Sequence, residues 1–514
     1  MRRHGTDGRA ALRVFAAGTA VSALLTGCNL APHYQRPALP VQDSWPTDTG
    51  VAGSVGKAPP SKAQMAADLG WESFFIDPRL RALIELTLSN NRNLRSQAAA
   101  IAEAQGEYEV QHASLFPPIG TTGQGEFIAP SSRAGFAFAP GFGRTISTLR
   151  FYNVGIGFSS YEIDLFGRIR NLSRQQAEAA MTSVYNARSV LISTLSQLAN
   201  TYLQWLADRE LLRVTEQTLT SQRDTLRLTR LQYEHGESTL LTLRQTETQV
   251  EQAAANEQQY RRQVAQDEHA IQLLVGMPLP PDLPPPAPFG SQTILADLHA
   301  GLPSDLIANR PDVQAAEHRL IGANANIGAA RAAFFPRLTI TASEGISSLQ
   351  FRQLFTPGAE TWTVSPNISL PIFTWGQNEG NLQISKARKL EQIASYENTV
   401  QTAFREVSDA LTARETYLDQ ERQMRDLVAS SQQAYDLAMM RFKTGIDPYL
   451  TTLTQQRTLY QAQQSTIAVQ LARYQNLVTV YRALGGGWSR KTVPTKVAAT
   501  ANGEPRVAPV GSPG

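Results

Sequence analysis

The chain is poor in the residues that build most reactive sites. It has one cysteine in 514 residues and seven histidines. A single thiol excludes an internal disulfide framework. The histidines are His4, His33, His112, His235, His269, His299 and His318, with no i, i+4 pair and no HExxH motif. A zinc hydrolase therefore has no ligand set in local register. No paired carboxylates and no Ser/His/Asp arrangement stand out. Gly141-Phe142-Gly143 is a lone GxG with no helix start behind it, and Gly485-Gly486-Gly487 follows a helical pattern as a stop signal. Charge is also scarce, at 18% of residues. The formal net charge of +3 comes from the first 27 residues, which hold four Arg and one Asp; the remainder is neutral. With no basic patch and no interleaved aromatics, nucleic acid is excluded as a partner.

Two long stretches lack glycine and proline altogether: 68 residues from Arg168 to His235 and 64 from Asn381 to Thr444. At 1.5 Å per residue each reaches about 100 Å as a helix. The two carry the same apolar stripe. Val184, Leu191, Leu195, Leu198 and Tyr202 recur 209 residues later as Ile393, Val400, Phe404, Val407 and Leu411, which indicates an internal duplication. Tyr202 and Trp205 lie in that stripe as packing residues. Each run is broken at a glycine, Gly236 or Gly445, with the same spacing, so these two residues mark the tips of helical hairpins.

Strand patterns precede both long runs. Tyr152, Val154, Ile156 and Phe158 alternate with small or polar residues, as do Trp362, Val364, Ile368 and Leu370. Each copy has an earlier, weaker strand after a helix ending in Phe-Pro, at Phe116-Pro117 and Phe335-Pro336. The expected strands are about 119–127, 152–163, 337–345 and 361–370. The helical patterns before them run from Trp71 to Phe116 and from Leu302 to Phe335.

At the N-terminus, Arg2, Arg3, Arg9 and Arg13 precede a 12-residue, mostly apolar run from Val14 to Leu25. That run is too short to span a bilayer. It ends in Leu25-Thr26-Gly27-Cys28, which resembles a bacterial lipobox, so Cys28 is expected to carry a diacylglycerol and an N-acyl chain. Asn29 at the next position resembles cargo sent to the outer membrane. The organisation is then a signal peptide at 1–27, an anchored linker at 28–70, a first repeat at 71–276 and a Pro-rich connector at 277–301. A second repeat follows at 302–488, and a disordered Pro/Gly/Ala-rich tail at 489–514.

Four strands of about ten residues with one apolar face suit an outer-membrane barrel, yet four cannot close, because such barrels need at least about eight. Several chains must share one barrel, and threefold symmetry gives 12 strands. The fold class is thus an α+β membrane protein: a trimeric 12-stranded β-barrel continued by a long periplasmic α-helical barrel.

Cys28 with Pro32-His-Tyr-Gln-Arg-Pro37, Trp71-x-x-Phe74-x-x-Asp77, the two Phe-Pro junctions and Ala483-Leu-Gly-Gly-Gly-Trp488 resemble the outer-membrane efflux lipoproteins of the NodT and OprM type, a TolC-like family. The resemblance covers nearly the whole mature chain. It implies a passive homotrimeric duct with no cofactor and no catalysis, exporting drugs or small toxic compounds. The duct would be joined through a periplasmic adaptor at its helical tips to an inner-membrane pump, commonly a proton-driven RND transporter. It also puts Asp447, Thr451 and Thr454 at a constriction, with Thr242 and Gln245 as counterparts in the first copy. Thr454 stands where that family often has Asp. A plainer role for Asp447 is to cap the following helix. Three alternatives remain at this point: a protein-secretion duct, a periplasm-spanning tether without a pore, and an envelope enzyme on a helical scaffold, to which nothing in the chain points.

Overall fold

The computed structural model describes residues 29–42, 45, 69–128, 149–291, 294, 309–486, 497–499 and 505–507. The signal sequence and Cys28 lie outside the described residues.

The single helical pattern expected from Trp71 to Phe116 is corrected to three helices: α1 (Trp71–Phe74), α2 (Pro78–Asn90) and α3 (Arg92–Ala113). Capping explains both breaks. The Asp77 carboxylate accepts from the amides of Arg79 (2.8 Å) and Leu80 (3.3 Å) ahead of Pro78. The Asn91 side chain accepts from Leu94 N at 3.1 Å. Each side chain satisfies free amides and starts a new helix in place of continuing the old one.

Strands β1 (Gly120–Ile128) and β2 (Leu149–Ile163) lead into α4 (Arg168–Glu234) and α5 (Leu240–Val275). The second copy repeats this as α6 (Pro311–Ala332), β3 (Arg337–Ser348), β4 (Glu360–Ser369), α7 (Gln377–Lys443) and α8 (Tyr449–Ala483). Of the expected Leu302 to Phe335 helix, residues 302–308 lie outside the described part. Helices α4 and α7 are both 67 residues long, and α5 and α8 are 36 and 35. Three pairs of left-handed glycines share the 209-residue offset: Gly167 with Gly376, Gly236 with Gly445, and Gly276 with Gly485. They start the long helices, turn the hairpins and end the return helices, so the duplication is written in backbone geometry as well as in the apolar stripe.

The four strands form one antiparallel sheet in chain order. β2 carries a bulge between Phe158 and Tyr161, with Ser160 at φ 54°. Below the sheet α4 packs on α3, α6, α5 and α8, and α7 packs on α6 and α8. The main core is a girdle where α1 and α2 cover the long helices. Tyr202 is fully buried there and donates to Asp77 Oδ2 at 2.8 Å, and Phe74 stacks on Tyr481 with centroids 3.8 Å apart. Trp205 is buried in the same cluster. The Pro-rich connector lies over this girdle, with Pro284 O accepting from Arg79 at 2.9 Å. In the tail, expected to be disordered, Val497–Ala499 (β5) pairs with Pro505–Val507 (β6).

Candidate functional site

The sheet sorts its side chains cleanly. In register, Tyr152, Val154, Ile156 and Phe158 of β2 share a face with Ile346, Ala342, Ile340 and Leu338 of β3 and with Val364 and Ile368 of β4. The opposite face presents Asn153, Gly155 and Gly157, then Ser347, Ser343, Thr341 and Thr339, then Thr361, Thr363, Ser365 and Asn367. Trp362 is 75% exposed and Ile368 73%. An apolar face of this extent suits a hydrocarbon neighbour. From Tyr152 to Ile163 the strand rises about 36 Å, or about 28 Å after a tilt of about 40°, against an apolar band of about 25 Å in such barrels. Of the charged residues of the apolar face, Arg150 and Glu360 sit at the loop end, where a rim meets water, whereas Glu344 lies mid-strand, paired with Ile156 and Trp362. Among the described residues no helix is long and apolar enough to cross a membrane.

On the polar face the strands approach unusually closely. A Cβ at Gly157 would lie 2.2 Å from Ala342 O, and one at Gly345 would lie 2.2 Å from Val154 O. Glycine is therefore required where β2 and β3 come together on this face.

At the far end of the long helices, Gly236 (φ 75°) and Gly445 (φ 73°) turn the hairpins with open space around them. Asp447 lies in the second turn and binds Arg441 through both oxygens, at 2.6 Å from Nε and 2.9 Å from Nη2. These bonds hold its carboxyl below the usual carboxylate range. The capping role for Asp447 is corrected: α8 has Pro448 as N-cap and no side-chain cap, because Arg441 claims the carboxylate. Thr451 and Thr454 follow on exposed positions of α8, and Thr454 Oγ1 is turned back to Leu450 O at 2.9 Å. In the first copy Thr239 caps α5 through Thr242 N at 3.2 Å, and Thr242 and Gln245 are half-buried. Glu247 binds Arg244 at 2.7 Å and Arg230 at 3.4 Å. The structure thus brings Asp447, Thr451 and Thr454 together at one tip, and Thr242 and Gln245 at the matching level of the other.

Sequence reasoning missed two features. The first is that residues 29–42 form a fastened strap. Asn29 Oδ1 accepts from Asn171 (2.9 Å), Leu30 O from Arg331 (3.1 Å) and Pro32 O from Asn324 (2.7 Å). Arg36 grips the buried Glu317 with two 2.8 Å bonds, and Tyr34 adds a third at 3.1 Å. Asn29, next to Cys28, therefore sits at the first turn of α4, just below the sheet. The second is a carboxyl pair, Asp208 on α4 and Asp267 on α5. Desolvation together with Asp208 pushes Asp267 up to about 7. The pair could not be found by local spacing, because its members lie on different helices.

The chain matches the outer membrane efflux protein family over residues 83–277 and 302–486. The toluene efflux pump outer membrane protein TtgC and the antibiotic efflux pump outer membrane protein ArpC, both of Pseudomonas putida, are each 42% identical over 472 residues, covering 91% of this chain and 94% of theirs. Among solved structures, the open-state MtrE outer membrane channel of Neisseria gonorrhoeae is similar with a TM-score of 0.80 at 33% identity, covering 91% of this chain and all of that one (100%). The sheet with its apolar face and the paired long helices are thus the fold of an outer-membrane channel, and the chain belongs to the outer membrane efflux protein family, as the outer-membrane component of an efflux system.

Proposed function

We propose that three copies close one barrel by pairing β1 of each protomer with β4 of the next, and that the resulting duct passively conducts small toxic compounds to the exterior. The observation that carries this is the four-stranded sheet with two unpaired edges and an exposed apolar face. Open edges in hydrocarbon cost several kcal/mol per unpaired backbone group, so the sheet is stable in a membrane only when neighbours complete it. The helices, about 100 Å long, carry the wall inward as a ring. The Gly236 and Gly445 turns present the surface for a periplasmic adaptor, which connects to an inner-membrane pump, proton-driven and of the RND kind. Asp447, Thr451, Thr454, Thr242 and Gln245 line the narrowing. Cys28 bears the lipid, anchored at the level where the strap begins. Nothing in the site calls for catalysis; the pump supplies energy and selects cargo. The names of the relatives, toluene and antibiotic pumps, favour small apolar or amphipathic cargo.

The test is to purify the mature protein in detergent, look for a heat-dissociable trimer on gels and record its conductance in planar bilayers. In a strain lacking the gene, tolerance to solvents and antibiotics should fall. A water-soluble monomer without conductance would refute the duct and favour the tether. Loss of a secreted protein with unchanged tolerance would assign the duct to protein export.

A further inference from the structure

The helices that precede the Phe-Pro junctions repeat with an offset of their own, 219 residues. α6 (Pro311–Ala332) maps onto α3 (Arg92–Ala113) along its whole length, and Phe335-Pro336 onto Phe116-Pro117. Below the sheet α3 packs on α4, α4 on α6 and α6 on α7, so these four helices form a row with α3 and α7 at its ends. The contact of α4 with α6 joins the first repeat to the second. Its counterpart would join α7 to α3, which lie at opposite ends of the row.

The residues that would make that second contact are bare. Phe166, just before the glycine that starts α4, stacks on Phe335 with centroids 4.7 Å apart. Its counterpart Trp375 lies edge-on to Phe373 at 4.5 Å, and the pair stands uncovered, with Trp375 88% exposed. The counterpart of Phe335 is Phe116, 62% exposed beside the other end of the row. Along the helices the contrast continues. Met181 of α4 is buried, whereas its counterpart Leu390 on α7 is 67% exposed. Gln175 binds Asn326 across the internal seam at 2.8 Å, whereas its counterpart Ile384 is exposed. Charge fits as well: Ala179 and Asn326 line one cavity between α4 and α6, and their counterparts are Arg388 on α7 and Glu107 on α3, both exposed. One end of the row thus complements the other, in a register the chain already uses internally. Two complementary faces on one protomer form a head-to-tail contact that closes into a ring.

We propose that the seam between protomers is built as a second copy of the seam between repeats: Phe116 of the next protomer packs on the Phe373–Trp375 pair, and Arg388 binds Glu107 of the next protomer. Ile384 and Leu390 are covered by α3 of that protomer. Aromatic groups so placed gain both burial and ring geometry. The inference rests on the duct reading above and adds the register of the helical wall, which strand pairing alone leaves open. The order agrees with the sheet edges, since β4 leads into α7 and α3 leads into β1. The aromatic clasp lies where strands pass into helices, so it keeps the two walls in step.

The experiment is oxidative thiol cross-linking of the full-length mature protein in membranes. Cys28 is the chain's only native cysteine and is common to every variant. Trp375→Cys combined with Phe116→Cys should give bands of two and three covalently joined chains on non-reducing gels, all returning to one chain with reductant. Either substitution alone should give neither band. Phe166→Cys with Phe335→Cys, the counterpart pair inside the chain, should link within one chain and add no higher band. Charge reversal gives a reading without thiols and decides the matter where the cysteine variants do not assemble. Glu107→Arg should lower the temperature at which the trimer band collapses, and adding Arg388→Glu should restore it. A trimer whose 375 and 116 thiols stay unlinked, or link within one chain, while the 166 and 335 thiols link, overturns the seam and leaves the duct standing. A reversed pair no more heat-resistant than Glu107→Arg alone also overturns the register. A water-soluble single chain ends the duct reading itself.

Discussion

Replacing Gly157 with Ala tests the sheet where its geometry is tightest. The new methyl would stand 2.2 Å from Ala342 O and 2.6 Å from Ser343 Cα, where ordinary contact begins at 3.4 Å. Both are backbone atoms, so no side chain can swing aside. The strands must separate by about 1.2 Å, which opens ladder bonds of about 2.9 Å to about 4.1 Å, beyond hydrogen-bond range. Losing the two flanking bonds costs about 1–3 kcal/mol each, hence about 2–6 kcal/mol per protomer, and a trimer meets that cost three times. Gly123→Ala is the internal control, because nothing lies within 4 Å of its added methyl. There the substitution is neutral, or stabilising by up to about 1 kcal/mol through a stiffer unfolded chain. The assay is the temperature at which the trimer band collapses on a detergent gel, followed by single-channel conductance of what survives. Gly157→Ala should dissociate well below wild type and Gly123→Ala should not. Equal heat resistance and equal conductance in the two variants would refute the claim that β2 and β3 need glycine to meet.

Three further outcomes follow from the charged groups. Arg36→Ala leaves Glu317, 5% accessible, with only Tyr34 to serve it. Breaking a buried pair costs about 3–5 kcal/mol, and the half-exposure of Arg36 reduces that to about 1–3 kcal/mol. Hydrogen exchange over residues 29–42 should accelerate, and unchanged protection would show that the strap does not depend on this grip. Asp447→Ala frees Arg441 and should raise conductance or shift cation preference in bilayers; identical current and selectivity would remove Asp447 from the narrowing. Because its carboxyl lies below the ordinary range, the wild-type pair should stay intact down to pH 5 and loosen only in stronger acid. Asp267 has the opposite sign. Its folded value is raised from 3.8 to about 7, so its stabilising effect is complete below about 4 and lost as pH rises through 7. The thermal midpoint of the helical dichroism signal should therefore fall from pH 5 to pH 8 in wild type and fall less in Asp267→Asn; parallel curves would contradict this.

The features legible in the sequence are those set by short-range physics repeated many times. Alternation in Tyr152 to Phe158 and Trp362 to Leu370 marked the sheet faces, and freedom from glycine and proline marked α4 and α7. The breaks at Asp77 and Asn91 were legible in principle, since Asp-Pro and Asn are capping signals, but the apolar stripe ran through them and masked the interruption. The strap was not legible. Its composition reads as linker, and its order comes from partners far along the chain: Arg36 meets Glu317 281 residues away. For the same reason Asp208 and Asp267 become a pair only once α5 folds back on α4. At the second tip, Asp just before a helix start carried a correct propensity that lost to a nearby guanidinium, because two charge-assisted bonds outweigh one amide cap.

The duplication makes the two hairpins equal in length and in their glycine turns, yet it does not make their tips alike. Thr239 caps α5, while its counterpart Pro448 has no hydroxyl to cap α8. The first hairpin is tied across its two helices, since Arg230 on α4 and Arg244 on α5 share Glu247. The second has its ion pair at its turn, Arg441 to Asp447, and is joined across its helices by Thr452 Oγ1 donating to Ala438 O at 3.1 Å. In a ring of three protomers these two kinds of tip alternate, so a structure with nearly sixfold walls is reduced to threefold symmetry at its tips. Two different ties loosen under different loads.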